Sequence, residues 1–137
     1  MAKEDAIKET LNQCRKPTGA EGKKIVFRMN ESHSEITDWG LKMVSIPREG
    51  ALLDAGCGGG RTLEKLAMAS SFGKIFGIDY SEDCVEWAKN YNQKRIDEGK
   101  MVIPSPEKLT KWLMKAGFQN VRIKLEEKKN WLCCIAQ

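Results

Sequence analysis

The stretch Ala51–Thr62, ALLDAGCGGGRT, decides the fold of this 137-residue chain. It opens with a short apolar run and passes at once into glycines at 56, 58, 59 and 60, the pattern of a buried strand that ends in a tight turn. The residues that follow, RTLEKLAMAS, place Leu63, Leu66, Ala67 and Ser70 on one face of a helix. KIFGID then reads as a second buried strand. Ser81 is placed to cap a further helix, with Glu82 and Asp83 in its first turn and Lys94 and Arg95 near its far end before Gly99. Strand, glycine loop, helix, strand and helix make one right-handed βαβ unit with its following helix.

Outward from that unit the pattern is plain on one side and mixed on the other. Residues 4–13 put Ala6, Ile7 and Leu11 on one helical face, after which CRKPTGAEGKK reads as a break at Pro17, Gly19 and Gly22. Ile36, Trp39, Gly40 and Met43 recur at helical spacing and predict a helix near 33–45, ended by Pro47. Residues 1–46 are thus expected to form a helical cap, and residues 51–99 the βαβα unit. Toward the C-terminus, Ser105 and Pro106 suit the first positions of a helix whose stripe is Leu109, Trp112, Leu113 and Ala116 and which Gly117 stops. NVRIKLE alternates apolar and charged residues, WLCCIA is apolar throughout, and the two predict an antiparallel hairpin that completes a segment 105–137.

The totals describe one globular domain of ordinary composition, 41% hydrophobic and 31% charged, long enough for a single core but not for a separate substrate domain. The net charge of +4 arises from interspersed acids and bases, which argues against a nucleic-acid partner. No apolar run reaches the ~20 residues of a membrane span, and MAKEDAIKE lacks the apolar stretch of a signal peptide, so no membrane partner and a cytoplasmic address are expected. Cys14, Cys57, Cys84, Cys133 and Cys134 form no CxxC pair, and His33 is the only histidine. Reduced thiols, a packing role for the vicinal Cys133 and Cys134, and no metal site are expected.

Glycines directly after a strand let the backbone approach a ligand closely, and the free N–H groups of a helix start favour a negative group. A tight turn with no ligand is the plain alternative, although it would not require so many glycines. A mononucleotide loop needs a lysine where Arg61 or Thr62 stands. A dinucleotide loop fits Gly56 and Gly58 but fails at its last glycine, which is Arg61 here, and Asp54 would repel a pyrophosphate. A cationic ligand that carries its own carboxylate reverses that objection: Asp54 attracts the cation, and the loop N–H groups receive the carboxylate. Asp79 closes the next strand, where an acid accepts hydrogen bonds from both hydroxyls of a ribose. Ribose plus amino-acid zwitterion describes S-adenosylmethionine.

LLDAGCGGGRT followed by GIDYS resembles the first two motifs of the class I S-adenosylmethionine-dependent methyltransferases. The resemblance extends to RMNESHSEITDWGL before the first strand and to LTKWLMKAGFQNVRIKLEEKKNWLCCIAQ at the end. It implies an α/β, Rossmann-like three-layer sandwich with a parallel βαβ core and a C-terminal antiparallel hairpin. It also implies that Asp54, Gly56, Cys57, Gly58 and Gly60 line the methionine end of the cofactor site. Asp79 would hold the ribose and Tyr80 would lie beside the adenine, with Met29, Asn30 and His33 near the cofactor's reactive end. No catalytic residue follows from it.

One departure from that family is large. EGKMVIPSPEK runs almost directly from the second βα unit into the last helix, and the five residues between Gly99 and Ser105 cannot contain a third, fourth and fifth strand with their helices. The expected fold is therefore truncated, with the first strand left as an unpaired apolar edge. The C-terminal hairpin is expected to cover that edge, within the chain or by exchange in a domain-swapped homodimer. Three functions remain open at this stage: a module that binds S-adenosylmethionine or its demethylated product, an active methyltransferase for a small molecule, and a structural or nucleic-acid-binding remnant.

Overall fold

The computed structural model describes residues 2–119, 122–126 and 131–135. It divides into two compact units, Met1–Ile103 and Pro104–Gln137. In the first, helices α1 (Ala2–Arg15), α2 (Gly19–Ser32) and α3 (Ser34–Lys42) precede β1 (Ala51–Ala55), α4 (Arg61–Ala69), β2 (Lys74–Ile78), α5 (Glu82–Tyr91), α6 (Gln93–Asp97) and β3 (Met101–Val102). The strands form a parallel sheet in the order β1-β2-β3, with Leu52 opposite Ile75 and Ile75 opposite Met101.

Both crossovers advance in the same direction across this sheet, so right-handed connections put α4 and the α5–α6 pair on one face. The burial follows. Ile75 and Gly77 point into the core, where Leu63 and Ala67 of α4, Val85 and Ala88 of α5, and Met101 and Ile103 meet. Leu53 on the opposite face is 63% exposed. This unit supplies two layers of the expected sandwich, a sheet and one layer of helices. At Gly77 an added Cβ would lie 2.4 Å from Leu63 Cδ1, so the missing side chain is what lets α4 settle on β2.

Three expectations from sequence need correction. The chain does break at Pro17, but residues 19–32 beyond it are a helix. Gly22 is buried in it because a Cβ there would lie 2.7 Å from the carbonyl carbon of Pro17; the glycine permits α2 to fold back on the end of α1. The helix start is also hidden from sequence: Thr18 makes no side-chain cap, and the carboxylate of Asp83, 64 positions away, accepts the Gly19 N–H at 2.8 Å. Second, the helix begun at Ser81 is broken at Asn92, whose amide turns back to donate to the carbonyls of Ala88 (3.0 Å) and Gly60 (2.9 Å). Third, Met101 and Val102 pair with β2, so the link that is too short for three strands with their helices still holds one short strand. Ile36 and Trp39 do lie on a helix, α3, with Met43 as its C-cap, but all three side chains are exposed.

The second unit matches its sequence. Helix α7 (Pro106–Lys115) starts at Ser105, whose Oγ accepts the Lys108 N–H at 3.3 Å, and Gly117 follows it at φ 100°. Strands β4 (Arg122–Glu126) and β5 (Trp131–Ile135) pair antiparallel, with Ile123 opposite Cys134 and Lys124 opposite Cys133. The connecting residues 127–130 and the side chains of Cys133 and Cys134 lie outside the described residues. Among the described residues, no helix is long and apolar enough to cross a membrane.

Leu63 is fully buried at the centre of the first unit. Leu63→Ala is expected to lower unfolding stability by about 3 kcal/mol in a denaturant titration. Met68→Ala, on the exposed face of the same helix, is expected to stay within about 0.5 kcal/mol of the parent.

Candidate functional site

The glycine loop sits at the C-terminal end of β1, beside the end of β2, and its backbone is held from below. Ile78 O accepts both the Gly56 N–H (2.7 Å) and the Cys57 N–H (3.0 Å), and Cys57 O accepts the Gly60 N–H (2.9 Å). Asp79 completes the arrangement, its Oδ2 accepting the Gly58 N–H at 2.8 Å and its Oδ1 the Ser81 N–H at 2.9 Å. Four N–H groups of the loop, those of Gly56, Cys57, Gly58 and Gly60, are therefore engaged within the fold and are not the ones that would receive a ligand carboxylate.

The glycines divide into two kinds. At Gly59 a Cβ would lie 2.6 Å from both Asn30 Nδ2 and Val26 Cγ1, and at Gly60 2.5 Å from Asn92 Nδ2 and 2.9 Å from Ala88 Cβ. These two are required by packing against α2 and α5. Gly56 (φ 84°) and Gly58 (φ 51°) instead have no atom within 4 Å of an added Cβ, so the backbone there faces open space. That is a cradle in which a ligand can lie directly on the main chain.

Two cavities adjoin this cradle and share Met29, Asn30, Gly56 and Gly58 as a common wall. One, of about 180 Å³, continues along Asp79, Tyr80, Cys84 and the α1–α2 junction at Cys14, Arg15 and Pro17. The other, of about 200 Å³, continues the opposite way along His33, Ser34, Thr37, Cys57, Arg61, Thr62 and Lys65. The junction is tied to the strand end by consecutive contacts: the Tyr80 hydroxyl donates to Arg15 O, and Ser81 Oγ donates to Pro17 O at 3.1 Å.

Of the residues singled out from sequence, Met29, Asn30, His33, Gly56, Cys57, Gly58, Asp79 and Tyr80 line one or both cavities. Gly60 lines neither and serves as the left-handed N-cap of α4. Asp54 also lines neither; it is half-buried on β1, two residues before Gly56. Burial, and then the charge of Asp79, hold the Asp54 carboxyl above its ordinary 3.8. Burial likewise keeps the Cys57 thiol protonated and pushes Cys84 up to about 11, so neither is a ready nucleophile. Sequence reasoning did not find Arg61, Ser34, Thr37 and Lys65 as lining residues; Arg61 entered it only as an obstacle to mononucleotide and dinucleotide binding. Among the described residues, no three His, Cys, Asp or Glu side chains converge as a metal site would require.

The sequence model of a methyltransferase domain matches residues 47–127, more than half of the chain. A comparison with curated proteins finds no match. Among solved structures, a SAM dependent methyltransferase from Aquifex aeolicus is 25% identical over 50% of this chain, with a TM-score of 0.42, and the chain spans 37% of that protein. Magnesium protoporphyrin IX methyltransferase from Synechocystis PCC 6803, solved with bound SAM, is 15% identical over 78% of this chain and 77% of its own, with a TM-score of 0.38.

The raised Asp54 carboxyl sets a pH dependence. The folded state binds the proton more tightly than the unfolded chain, so this contribution to stability is greatest at low pH and is lost as pH rises from 3.8 through the folded value. Asp54→Asn is expected to raise the melting temperature at neutral pH and to flatten its decline over that window. A melting temperature unchanged at pH 7 would show that Asp54 carries no such penalty.

Proposed function

The chain belongs to the methyltransferase-domain family, and from that premise we propose that it binds S-adenosylmethionine or S-adenosylhomocysteine across its glycine loop. The observation that carries this reading is the pairing of an open-faced cradle at Gly56 and Gly58 with the Asp79 carboxylate beside it. Each Asp79 oxygen already accepts one backbone N–H and retains capacity for another donor, which suits the two hydroxyls of a ribose. Tyr80, tethered through its hydroxyl to Arg15, offers its ring to an adenine in the same cavity. Asp54 supplies negative charge beneath the loop for a sulfonium or ammonium group. Met29 and Asn30, in the wall common to both cavities, then stand where the adenosine side meets the rest of the ligand. When bound, S-adenosylmethionine supplies a methyl group already activated on a positively charged sulfur.

The second cavity favours a further reading, methyl transfer to a small acceptor. It extends beyond the shared wall, away from Asp79, and is lined by polar side chains from α3 and α4. In that role the chain would act by holding donor and acceptor in line and excluding water. The free thiols of Cys14, Cys57 and Cys84 suit a reducing compartment, and the cytoplasm is the address that this reading implies.

Calorimetry with S-adenosylmethionine checks the binding. The wild type is expected to release heat with a single site, Gly58→Val to lose it, and Asp79→Ala to bind roughly ten- to a hundredfold more weakly. Equal affinity in Asp79→Ala would remove the ribose assignment. A radiolabelled methyl assay against mixed small metabolites then divides a transferase from a binding module.

Because β1 has no strand on its outer side within the three-stranded sheet, we also propose that two chains associate, by exchange of the unit that starts at Pro104. Sedimentation at micromolar concentration is expected to give a dimer, and a monomer alone rejects the exchange.

A further inference from the structure

Arg61, the first residue of α4, is a half-buried cation with no carboxylate paired to it among the described residues. One terminal nitrogen donates to Ser34 Oγ at 3.3 Å, Nε is buried with no acceptor, and no carboxylate among the described residues forms an ion pair with it. Its neighbour one turn on is different. Lys65 Nζ is satisfied by Asp38 Oδ1 at 2.6 Å, Ser34 O at 2.9 Å and Ser34 Oγ at 3.0 Å, which uses all three of its donors. A guanidinium has five donors in a rigid fork, and taking its charge out of water is costly unless an anion meets it. The cavity of about 200 Å³ that Arg61 borders gives such an anion room, and the N-terminal end of α4 adds its partial positive charge. The N–H groups of Gly56, Cys57, Gly58 and Gly60 are already engaged, so those four do not compete with the guanidinium for the anion.

We propose that Arg61 is the anion anchor of this cavity, receiving a carboxylate-sized group on its guanidinium, with Ser34 and Lys65 as the residues that position it. The site stands on the geometry of Arg61; only the source of the anion rests on the cofactor reading above. That source is either the amino-acid carboxylate of the methyl donor or an acidic group on the acceptor. In both cases the cavity selects for negative charge.

The experiment uses the full chain, its Arg61→Gln variant, and Arg61→Lys, which keeps the charge and loses the fork. Two probes are compared by calorimetry: S-adenosylhomocysteine, and 5′-methylthioadenosine, which lacks the amino-acid end and reports whether the variant still folds. If the donor's carboxylate is the anion, Arg61→Gln weakens S-adenosylhomocysteine roughly ten- to a hundredfold and leaves methylthioadenosine unchanged, with Arg61→Lys in between. If the acceptor supplies it, both nucleosides bind Arg61→Gln as they bind wild type. Inorganic phosphate at constant ionic strength then raises the melting temperature of the S-adenosylhomocysteine-loaded wild type but not of the loaded variant. Arg61→Gln matching wild type in both measurements overturns the proposal. Wild type that binds neither nucleoside removes the cofactor reading instead. The anchor is then decided by phosphate on the free protein: stabilisation that depends on Arg61 upholds it, and none rejects it.

Discussion

Asp79 accepts the backbone N–H groups of Gly58 and Ser81 on its two oxygens, and so ties the loop after one strand to the helix start after the next. Much else follows from that carboxylate. It holds Gly58 in a left-handed conformation with its open side outward, and it occupies an N–H group that would otherwise face a ligand. It also raises the energetic cost of a second charge close by, which contributes to the displaced Asp54 carboxyl. A site organised in this way offers backbone contact and side-chain charge, with few free amides. Arg61, which no carboxylate among the described residues pairs with, lies in the other cavity as the complement to that arrangement.

The loop is clamped on two further sides. Asn92 reaches across from the end of α5 to the carbonyl of Gly60, and Asn30 and Val26 of α2 close over Gly59. The roof that α2 forms is fastened by residues just beyond β2. Tyr80, Ser81 and Asp83 bond Arg15 O, Pro17 O and Gly19 N in turn. The strand end thus fixes both the floor of the cradle, through Asp79, and the helix that covers it. Moving either would shift Met29 and Asn30, the wall that the two cavities share.

How much of this was legible from sequence varied with the range of the interactions involved. The βαβ unit, α7 and the terminal hairpin were legible because their signals are local: apolar periodicity, glycine after a strand, serine at a helix start. Helix α2 was not, because its first N–H is capped from 64 positions away and its glycines look like breakers until Pro17 is seen against Gly22. The short β3 was hidden in a link judged only by its length; two residues suffice when a formed strand already offers a parallel edge.

The sequence by itself determined the class of fold, the position of the glycine loop and the place of Asp79 at the end of the next strand, since each depends on residue type and spacing along a few turns of chain. Only the tertiary structure decided which glycines serve packing and which face open space. It alone showed that four of the loop's amides are already used, and it alone revealed Arg61 as a cation that no carboxylate among the described residues pairs with. Those facts concern what lies opposite a given atom. That is set by chain segments tens of residues apart, and no local pattern encodes it.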